Sequence, residues 1–349
     1  MERLGRLADH LQTADATIAQ AFARHKQQYP AAAAASGREP KKTRYAVVGL
    51  GGRSVMYSGA ILSTYADRAE LVGICDINPD RMNYYLKQWQ ATHGKGGDIP
   101  TYDPSQFERM LEENKVDTVI VTTMDRTHHR YIIRAMQAGC DAITEKPMTV
   151  DEKKCQQILD TIDETGKSLR VTFNYRYAPR ASKVKELILA GTIGDVKSVH
   201  FEWLLDTIHG ADYYRRWHRN KNNSGGLMVH KATHHFDLVN WWIDSKPVTV
   251  MAMGDLDFYG RENAEERGIT KFYDRGTDHP NAKGVLRFPP HGLRTAHSTA
   301  HSTALHALSP GDPFAVDLNA SEQQRELYLN PAESDGYRRD QSVFGAQPP

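Results

Sequence analysis

The chain has few cysteines, almost no net charge and no long apolar run. Its 349 residues include three cysteines, and 44 Lys and Arg side chains nearly balance 43 Asp and Glu side chains, for a net charge of +1. Cys75, Cys140 and Cys155 lie far apart without metal-type spacing, which argues against a disulfide framework or a cysteine metal site. The balanced charge offers no bulk field for nucleic acid or a membrane surface, so we expect neither as a partner.

The N-terminal sequence and the apolar content of the chain bear on its expected location. No stretch is apolar enough to span a bilayer, and residues 1–28 lack the apolar core of a secretory signal, so we expect a reducing, cytoplasmic location. Residues 1–28 instead carry apolar side chains at near-helical spacing, which predicts an amphipathic helix, and residues 29–42 are typical of a linker. Residues 285–310 contain a small tandem repeat and predict a low-complexity, disordered insert.

A glycine-rich turn after a short apolar strand is the most informative segment. Residues 46–48 form the predicted strand, and Gly49, Gly51 and Gly52 follow at once. A tight turn needs the first glycine, close approach to a pyrophosphate needs the second, and the next helix would aim its N–H groups at that anion. The following predicted strand ends at Asp76, whose carboxylate suits both hydroxyls of an adenosine ribose. The pattern predicts a dinucleotide site; a plain turn with a surface aspartate is the alternative.

Strands and helices alternate from residue 43 to residue 174. Further apolar strands are predicted at 116–122, 141–145 and 169–174. This alternation predicts an α/β fold with a doubly wound parallel sheet. Strand-like patterns at 196–205 and 248–257 predict a second, α+β domain with an open, mostly antiparallel sheet. The expected regions are a helix and linker at 1–42, a dinucleotide-binding domain at 43–174, and a substrate and oligomerisation domain at 175–349.

Two polar segments contain candidate catalytic residues. Lys146 follows a predicted strand at the sheet edge where ligands lie, and a half-desolvated lysine there would have a lowered pKa and exchange a proton with a hydroxyl. A surface lysine is the alternative. In residues 225–237, a helix would place His230 and His234 on one face. The segment lacks the glutamate of the zinc-protease pattern, so we expect no metal. His234 could carry a proton or donate a hydrogen bond to the substrate. A structural histidine in a partly buried helix explains the residue equally well.

An aromatic and basic stretch lies between those segments. Residues 213–220 combine tyrosine, tryptophan, arginine and asparagine, whose rings stack on sugar faces and whose polar groups bind hydroxyls or carboxylates. An amphipathic surface loop explains the same composition equally well.

The order of these segments resembles the glucose–fructose oxidoreductase, inositol dehydrogenase and rhizopine-catabolism (Gfo/Idh/MocA) family, over roughly residues 43 to 260. The matching motifs are Gly49-Leu50-Gly51-Gly52-Arg53, Asp76, Thr123-Met124-Asp125-Arg126-Thr127-His128, Glu145-Lys146-Pro147, Asn174-Tyr175-Arg176-Tyr177 and the run 225–237. The resemblance implies an N-terminal Rossmann domain that binds NAD and a C-terminal α/β domain whose open sheet supports substrate. It also implies a homo-oligomer if that second domain is complete.

The resemblance implies that Lys146 and His234 flank a sugar or cyclitol alcohol above the nicotinamide. Lys146 would hydrogen-bond or deprotonate the hydroxyl, His234 would relay its proton, and hydride would pass between that carbon and the nicotinamide. The implied cofactor contacts are Gly49, Gly51, Gly52, Arg53, Asp76, Thr123, His128, Glu145, Lys146 and Arg176. The implied substrate contacts are Tyr175, Arg216, Trp217, His230, Lys231 and Asp237. Asp76 would repel a 2′-phosphate, which favours NAD over NADP, although Arg53 could pair with that phosphate.

Several positions depart from the family pattern. His230 stands where the family usually has Asp, Ala232 replaces Gly and Met124 replaces Pro, so the site is more basic than usual and suits an acidic or unusual sugar. The second domain is short and is interrupted by 285–310, and we hypothesise a truncated or mis-spliced product with an incomplete sheet.

Two other functions compete with the dehydrogenase. One is a glycosidase that uses bound NAD for transient oxidation, and the other is a non-catalytic NAD-binding protein. Net NADH production separates the dehydrogenase from both.

Overall fold

The computed structural model describes residues 41–205, 210, 213, 214, 216–269 and 272. Most of the predicted N-terminal helix and linker and the whole of the predicted insert 285–310 lie outside the described residues. The chain divides into two compact units. The larger unit contains residues 43–173, residues 203–235 and the described residues from 250 onward, and the smaller unit contains residues 174–202 and 236–249.

A six-stranded parallel sheet forms the centre of the larger unit. Its strands are β1 (Thr43–Val48), β2 (Ala69–Cys75), β3 (Thr101–Tyr102), β4 (Thr118–Val121), β5 (Asp141–Glu145) and β6 (Leu169–Thr172). Their order across the sheet is β3-β2-β1-β4-β5-β6, and every neighbouring pair is parallel. The direction of winding reverses between β1 and β4, which is where such sheets bind ligands. The predicted doubly wound parallel sheet is confirmed.

Five helices connect the strands of this sheet. They are α1 (Val55–Leu62), α2 (Pro79–His93), α3 (Phe107–Glu113), α4 (His128–Gln137) and α5 (Glu152–Thr165). Local sequence explains the ends of α2: the Asn78 side chain accepts from the N–H groups of Asp80 and Arg81, a proline occupies the first turn, and Gly94 ends the helix in the left-handed conformation.

Apolar side chains cover both faces of the sheet. Adjacent residues of β1 point to opposite faces, because side chains alternate along a strand. Val48 belongs to one apolar cluster with Ile132 of α4, whereas Val47 belongs to another with Ile61 of α1 and Tyr85 of α2. Burial on both faces explains why the central strands are continuous apolar runs in the sequence.

The rest of the described chain is helical or irregular. The remaining helices are α6 (Pro179–Leu189), α7 (Lys221–Ser224), α8 (Leu227–His230), α9 (Thr233–Ile243) and α10 (Arg261–Glu266). Alternation predicts strands at residues 196–205 and 248–257, which both lie among the described residues, and neither segment forms one. Strands need neighbours for their backbone hydrogen bonds, and the described residues supply none there. The antiparallel sheet of the second domain stays a prediction.

Within the smaller unit, α6 packs against the second half of α9. The indole N–H of Trp242 donates to the Ala181 carbonyl at 2.9 Å, and the Lys185 ammonium donates to the Trp241 carbonyl at 2.6 Å. Among the helices within the described ranges, none is both long and apolar enough to cross a membrane.

Candidate active site

The turn after β1 requires glycine at its first position. Gly49 has a φ of +86°, and a Cβ built there would lie 2.7 Å from the Thr123 Cα. That position therefore tolerates neither the backbone strain nor the volume of another side chain. At Gly51, by contrast, a Cβ would meet no atom within 4 Å, so the turn presents open space there. Residues Gly52–Ser54 then form a 3-10 turn that leads into α1.

The carboxylate of Asp76 lies beside this turn, at the end of β2. The side chain is 4% exposed, and its Oδ2 accepts from the Leu50 N–H at 2.5 Å. Its Oδ1 accepts from the Asn78 N–H at 2.8 Å and pairs with Arg81 at 3.3 Å. In dinucleotide-binding sheets, an open glycine turn and the helix after it hold the diphosphate, and an acidic residue at the end of the second strand holds the ribose. The residues present here therefore fit NAD.

His128 joins the turns that follow β4 and β5. Its buried ring lies between two backbone carbonyls, with Nδ1 2.8 Å from the Pro147 oxygen and Nε2 3.0 Å from the Thr123 oxygen. Thr123 also accepts a hydrogen bond from the Thr127 hydroxyl at 2.8 Å. Because both ring nitrogens face the protein backbone, His128 and Thr123 fix the shape of this edge of the sheet.

Lys146 lies between the end of β5 and the cis peptide bond to Pro147. Its Nζ donates to the backbone carbonyl of His230 at 2.8 Å. Burial lowers the pKa of Lys146 to about 8, although the carboxylates of Asp125 and Glu145 oppose that shift. A lysine in these surroundings can exchange a proton with a hydroxyl near neutral pH.

The neighbouring Glu145 is almost fully buried and is held by two side chains. Its Oε1 accepts from the Tyr57 hydroxyl at 2.8 Å and pairs with the Arg53 guanidinium at 3.0 Å. The Tyr57 oxygen also lies 2.6 Å from the Thr172 hydroxyl, and burial raises the pKa of Tyr57. The structure thus pairs two predicted cofactor contacts, Arg53 and Glu145, with each other.

His230 pairs with Asp125, a residue that the sequence did not single out. The Nδ1 of His230 lies 2.5 Å from the Asp125 Oδ2, and both residues are buried. Burial raises the pKa of Asp125 to about 7, against the opposing effect of His128 and Lys146. The only signal for Asp125 in the sequence was its place in the Thr123–His128 motif, three residues before His128.

His234 lies in the first turn of α9. Its ring packs edge-on against the Phe173 ring, with 6.3 Å between the ring centroids. Burial lowers the pKa of His234 to about 3, and the cations Lys146, Lys231 and Arg53 add to that effect. His234 is therefore a neutral imidazole throughout the physiological pH range.

Aromatic rings surround His230. The ring centroids of Tyr213, Trp217 and His218 lie 5.4, 5.6 and 4.4 Å from that of His230. His230, Tyr213 and His218 also line a small pocket together with Arg219. The predicted substrate contacts Arg216, Trp217, His230 and Lys231 therefore share one unit with Lys146 and His234.

Three other predicted site residues lie in the smaller unit. Arg176 forms a bidentate pair with Asp237, in which its Nε donates to Oδ2 at 2.8 Å and its Nη2 donates to Oδ1. Tyr175 belongs to the same 3-10 turn, Asn174–Tyr177. A predicted cofactor contact and a predicted substrate contact are thus partners of each other, and their roles toward ligands stay predictions.

Comparisons with known proteins identify the family of the chain. Two models of one family match the chain: "Oxidoreductase family, NAD-binding Rossmann fold" over residues 43–173, and "Oxidoreductase family, C-terminal alpha/beta domain" over residues 185–307. Together they match more than half of the chain.

Similar curated proteins come from several bacteria. The chain is 39% identical over 217 residues to the protein YteT of Bacillus subtilis, covering 62% of this chain and 50% of YteT. It is 31% identical over 202 residues to glycosyl hydrolase family 109 protein 1 of Akkermansia muciniphila, covering 55% and 42%. It is 25% identical over 207 residues to an inositol 2-dehydrogenase/D-chiro-inositol 3-dehydrogenase of Lactiplantibacillus plantarum, covering 59% and 54%.

The chain spans about half the length of these relatives. Its matched residues nevertheless include the whole parallel sheet and the segments that carry Lys146, His230 and His234. The order of motifs, the sheet and both family matches lead to one conclusion: the chain belongs to the Gfo/Idh/MocA family of oxidoreductases.

Proposed function

We propose that the protein transfers a hydride between NAD and a hydroxyl-bearing carbon of a sugar or cyclitol. The observation that carries this proposal is the half-buried Lys146 directly after β5, with a lowered pKa, on the same sheet edge as the glycine turn and Asp76. The carboxyl ends of parallel strands are where such sheets bind ligands. The family match to an NAD-binding Rossmann fold supports the choice of cofactor.

Three glycines of the turn after β1 and Asp76, directly after β2, would hold the cofactor. Gly49, Gly51 and Gly52 would admit its diphosphate, and Asp76 would accept the hydroxyls of its adenosine ribose. NAD supplies the hydride acceptor when bound. Further proposed cofactor contacts in the same unit are Arg53, Thr123, His128, Glu145 and Lys146.

Lys146 and His234 would handle the proton. The substrate hydroxyl loses its proton to the neutral Lys146 amine as its carbon loses hydride. His234 would relay the proton as a neutral imidazole, taking a proton at one ring nitrogen while it gives up the proton of the other, because its pKa of about 3 disfavours the imidazolium. Proposed substrate contacts around them are Arg216, Trp217, His230 and Lys231.

Turnover tests the proposal directly. Purified protein is incubated with NAD and a panel of neutral and acidic sugars and cyclitols, while NADH is followed by absorbance and sugar products by mass spectrometry. We expect NADH and a keto product in equal amounts. Lys146→Met should abolish both, whereas Lys153→Met, an exposed lysine of α5, should leave both unchanged.

The same assay, with glycosides added to the panel, separates the competing functions. A glycosidase would release an aglycone from glycosides without net NADH, and a binding protein would bind NADH without any product. Either outcome would overturn the dehydrogenase proposal. Nothing in the described site favours these two alternatives over hydride transfer from a free sugar or cyclitol to NAD.

Two further expectations belong to this proposal. We propose a cytoplasmic location, as the sequence predicts, and a homo-oligomer if the second domain is complete, as the family resemblance implies. Fractionation of cells that carry the native protein, and sedimentation of the purified chain, test them.

A further inference from the structure

Asp125, His230 and Lys146 form a connected arrangement drawn from three segments of the larger unit. Asp125 opens the turn between β4 and α4, Lys146 follows β5, and His230 ends α8. The Asp125 carboxylate lies 2.5 Å from the His230 Nδ1, and the carbonyl of the same His230 accepts from the Lys146 Nζ at 2.8 Å. Asp125 is 3% exposed and His230 is 8% exposed, so water competes little for these contacts.

The short helix that carries His230 depends on such an anchor. α8 has only four residues, and Gly225 and Gly226 before it both have positive φ, at 73° and 83°. Helices this short gain little stability from their own hydrogen bonds, so side-chain contacts determine their position. The hydrogen bond with Asp125 ties the end of α8 to the turn after β4. The position of α8 in turn sets the position of the His230 carbonyl.

We propose that Asp125 is a positioning residue for Lys146 and acts through His230. The Asp125 carboxylate fixes the His230 ring, and the His230 carbonyl holds the Lys146 ammonium at the end of β5. The pairing depends on a hydrogen-bond donor at position 230; the aspartate usual for the family there would repel Asp125. Only the catalytic consequence of this inference rests on the proposed function; the arrangement itself does not.

Several charged or titratable groups act on Lys146 in these surroundings. They are Asp125, Glu145, Arg53, Lys231, His230 and His234. Arg53 and Glu145 form an ion pair and shift the pKa of Lys146 in opposite directions. Asp125 stabilises the ammonium both by its charge and by holding the carbonyl acceptor in place, whereas Lys231 opposes it. Loss of the Asp125 charge should therefore make Lys146 lose its proton more readily.

Chemical labelling of Lys146 reads this effect without any substrate. Each protein is treated with dilute acetic anhydride over a range of pH, and acetylation of Lys146 is measured by peptide mass spectrometry, since only the neutral amine reacts. In Asp125→Asn, the midpoint for Lys146 should move to lower pH, and labelling well below that midpoint should become faster on the order of tenfold. Asp117→Asn is the matched control, because Asp117 precedes the opposite end of β4 and bonds the Arg44 N–H.

A second pair of variants keeps the test decisive if Asp125→Asn does not fold. His230→Asn retains an amide donor near the position of Nδ1, whereas His230→Leu removes the donor at similar size. The inference requires a midpoint near the wild-type value in His230→Asn and a shifted midpoint in His230→Leu. An unchanged midpoint in Asp125→Asn, or equal midpoints in the two His230 variants, would overturn it.

Turnover of whichever sugar or cyclitol of the panel proves to be a substrate supplies the catalytic readout. Asp125→Asn should lower kcat, shift the acid limb of the pH profile in the same direction as the labelling midpoint, and leave the Kd for NADH unchanged. A shift in labelling without any turnover by the wild-type protein would retain the positioning role and reject the proposed function. Turnover by the wild-type protein with an unshifted labelling midpoint in Asp125→Asn would support the proposed function and reject the positioning role of Asp125.

Discussion

Lys146 and His234 respond differently to the same surroundings. Burial and nearby cations disfavour the charged form of both side chains, which lowers the pKa of Lys146 to about 8 and that of His234 to about 3. Lys146 therefore changes its charge within the working range of pH, whereas His234 stays neutral. Of the two residues, Lys146 is the group whose titration should govern the rate.

The rate of sugar oxidation should follow the deprotonation of Lys146. A general base acts in its neutral form, so kcat/KM with NAD should rise about tenfold per pH unit below the pKa of Lys146 and level off above about 8. Rates measured from mildly acidic to mildly alkaline pH check this expectation. The profile of Lys153→Met should match the wild type, and a wild-type profile that is flat across this range would contradict the role of Lys146.

The choice between NAD and NADP should depend on Asp76. Asp76→Ser removes a carboxylate that would repel a 2′-phosphate and leaves the buried Arg81 close to that position. We expect NADH binding to weaken and NADPH binding to strengthen, each on the order of tenfold, or about 1.4 kcal/mol. Fluorescence titration with both nucleotides measures the change. The exposed Asp80→Ser is the control, and a parallel loss of both nucleotides in Asp76→Ser would refute the assignment.

At the scale of elements, the turns after β1 and β4 fit together so closely that one of them has no room for a side chain. Gly49 and Gly94 both have positive φ, but only at Gly49 would a Cβ overlap the backbone of another turn, at Thr123. Gly94 ends α2 in open space. Substitutions at these two glycines therefore distinguish the cost of backbone strain from the cost of steric overlap.

Gly94→Ala should destabilise the fold by about 1–2 kcal/mol through backbone strain alone. Gly49→Ala adds overlap with the Thr123 backbone and should destabilise it by roughly 2–5 kcal/mol. Urea unfolding of both variants gives the two values. Equal losses of stability in the two variants would show that the turns after β1 and β4 do not pack as described. NADH binding should weaken in Gly49→Ala and stay unchanged in Gly94→Ala.

Local sequence patterns predicted some elements and missed others for physical reasons. Central strands such as β1 and β4 are apolar because both faces of the sheet are covered, and α2 carries its cap at Asn78 in the sequence. Residues 196–205 alternate as a strand does, yet no described strand lies beside them. Alternation predicts an exposed and a buried face, but pairing depends on residues elsewhere in the chain.

At the scale of the whole molecule, the candidate site draws on residues far apart in the sequence. Asp125 and His230 are separated by 105 positions, so their pairing becomes visible only when β4 and α8 are placed in space. The sequence motifs did identify Lys146, His230 and His234, since each belongs to a family signature. They did not show that Arg176 binds Asp237 or that Arg53 binds Glu145, because such partners depend on tertiary packing.

Titration of the purified 349-residue chain with NADH tests the central claim most directly. Nucleotide fluorescence and thermal unfolding are followed together, since a ligand that binds the folded state raises its stability. The account predicts saturable NADH binding, weaker NADPH binding, and a rise in the unfolding temperature that Gly49→Ala greatly reduces. A protein that unfolds cooperatively but neither binds NADH nor gains stability from it would contradict the NAD site and the hydride transfer that depends on it.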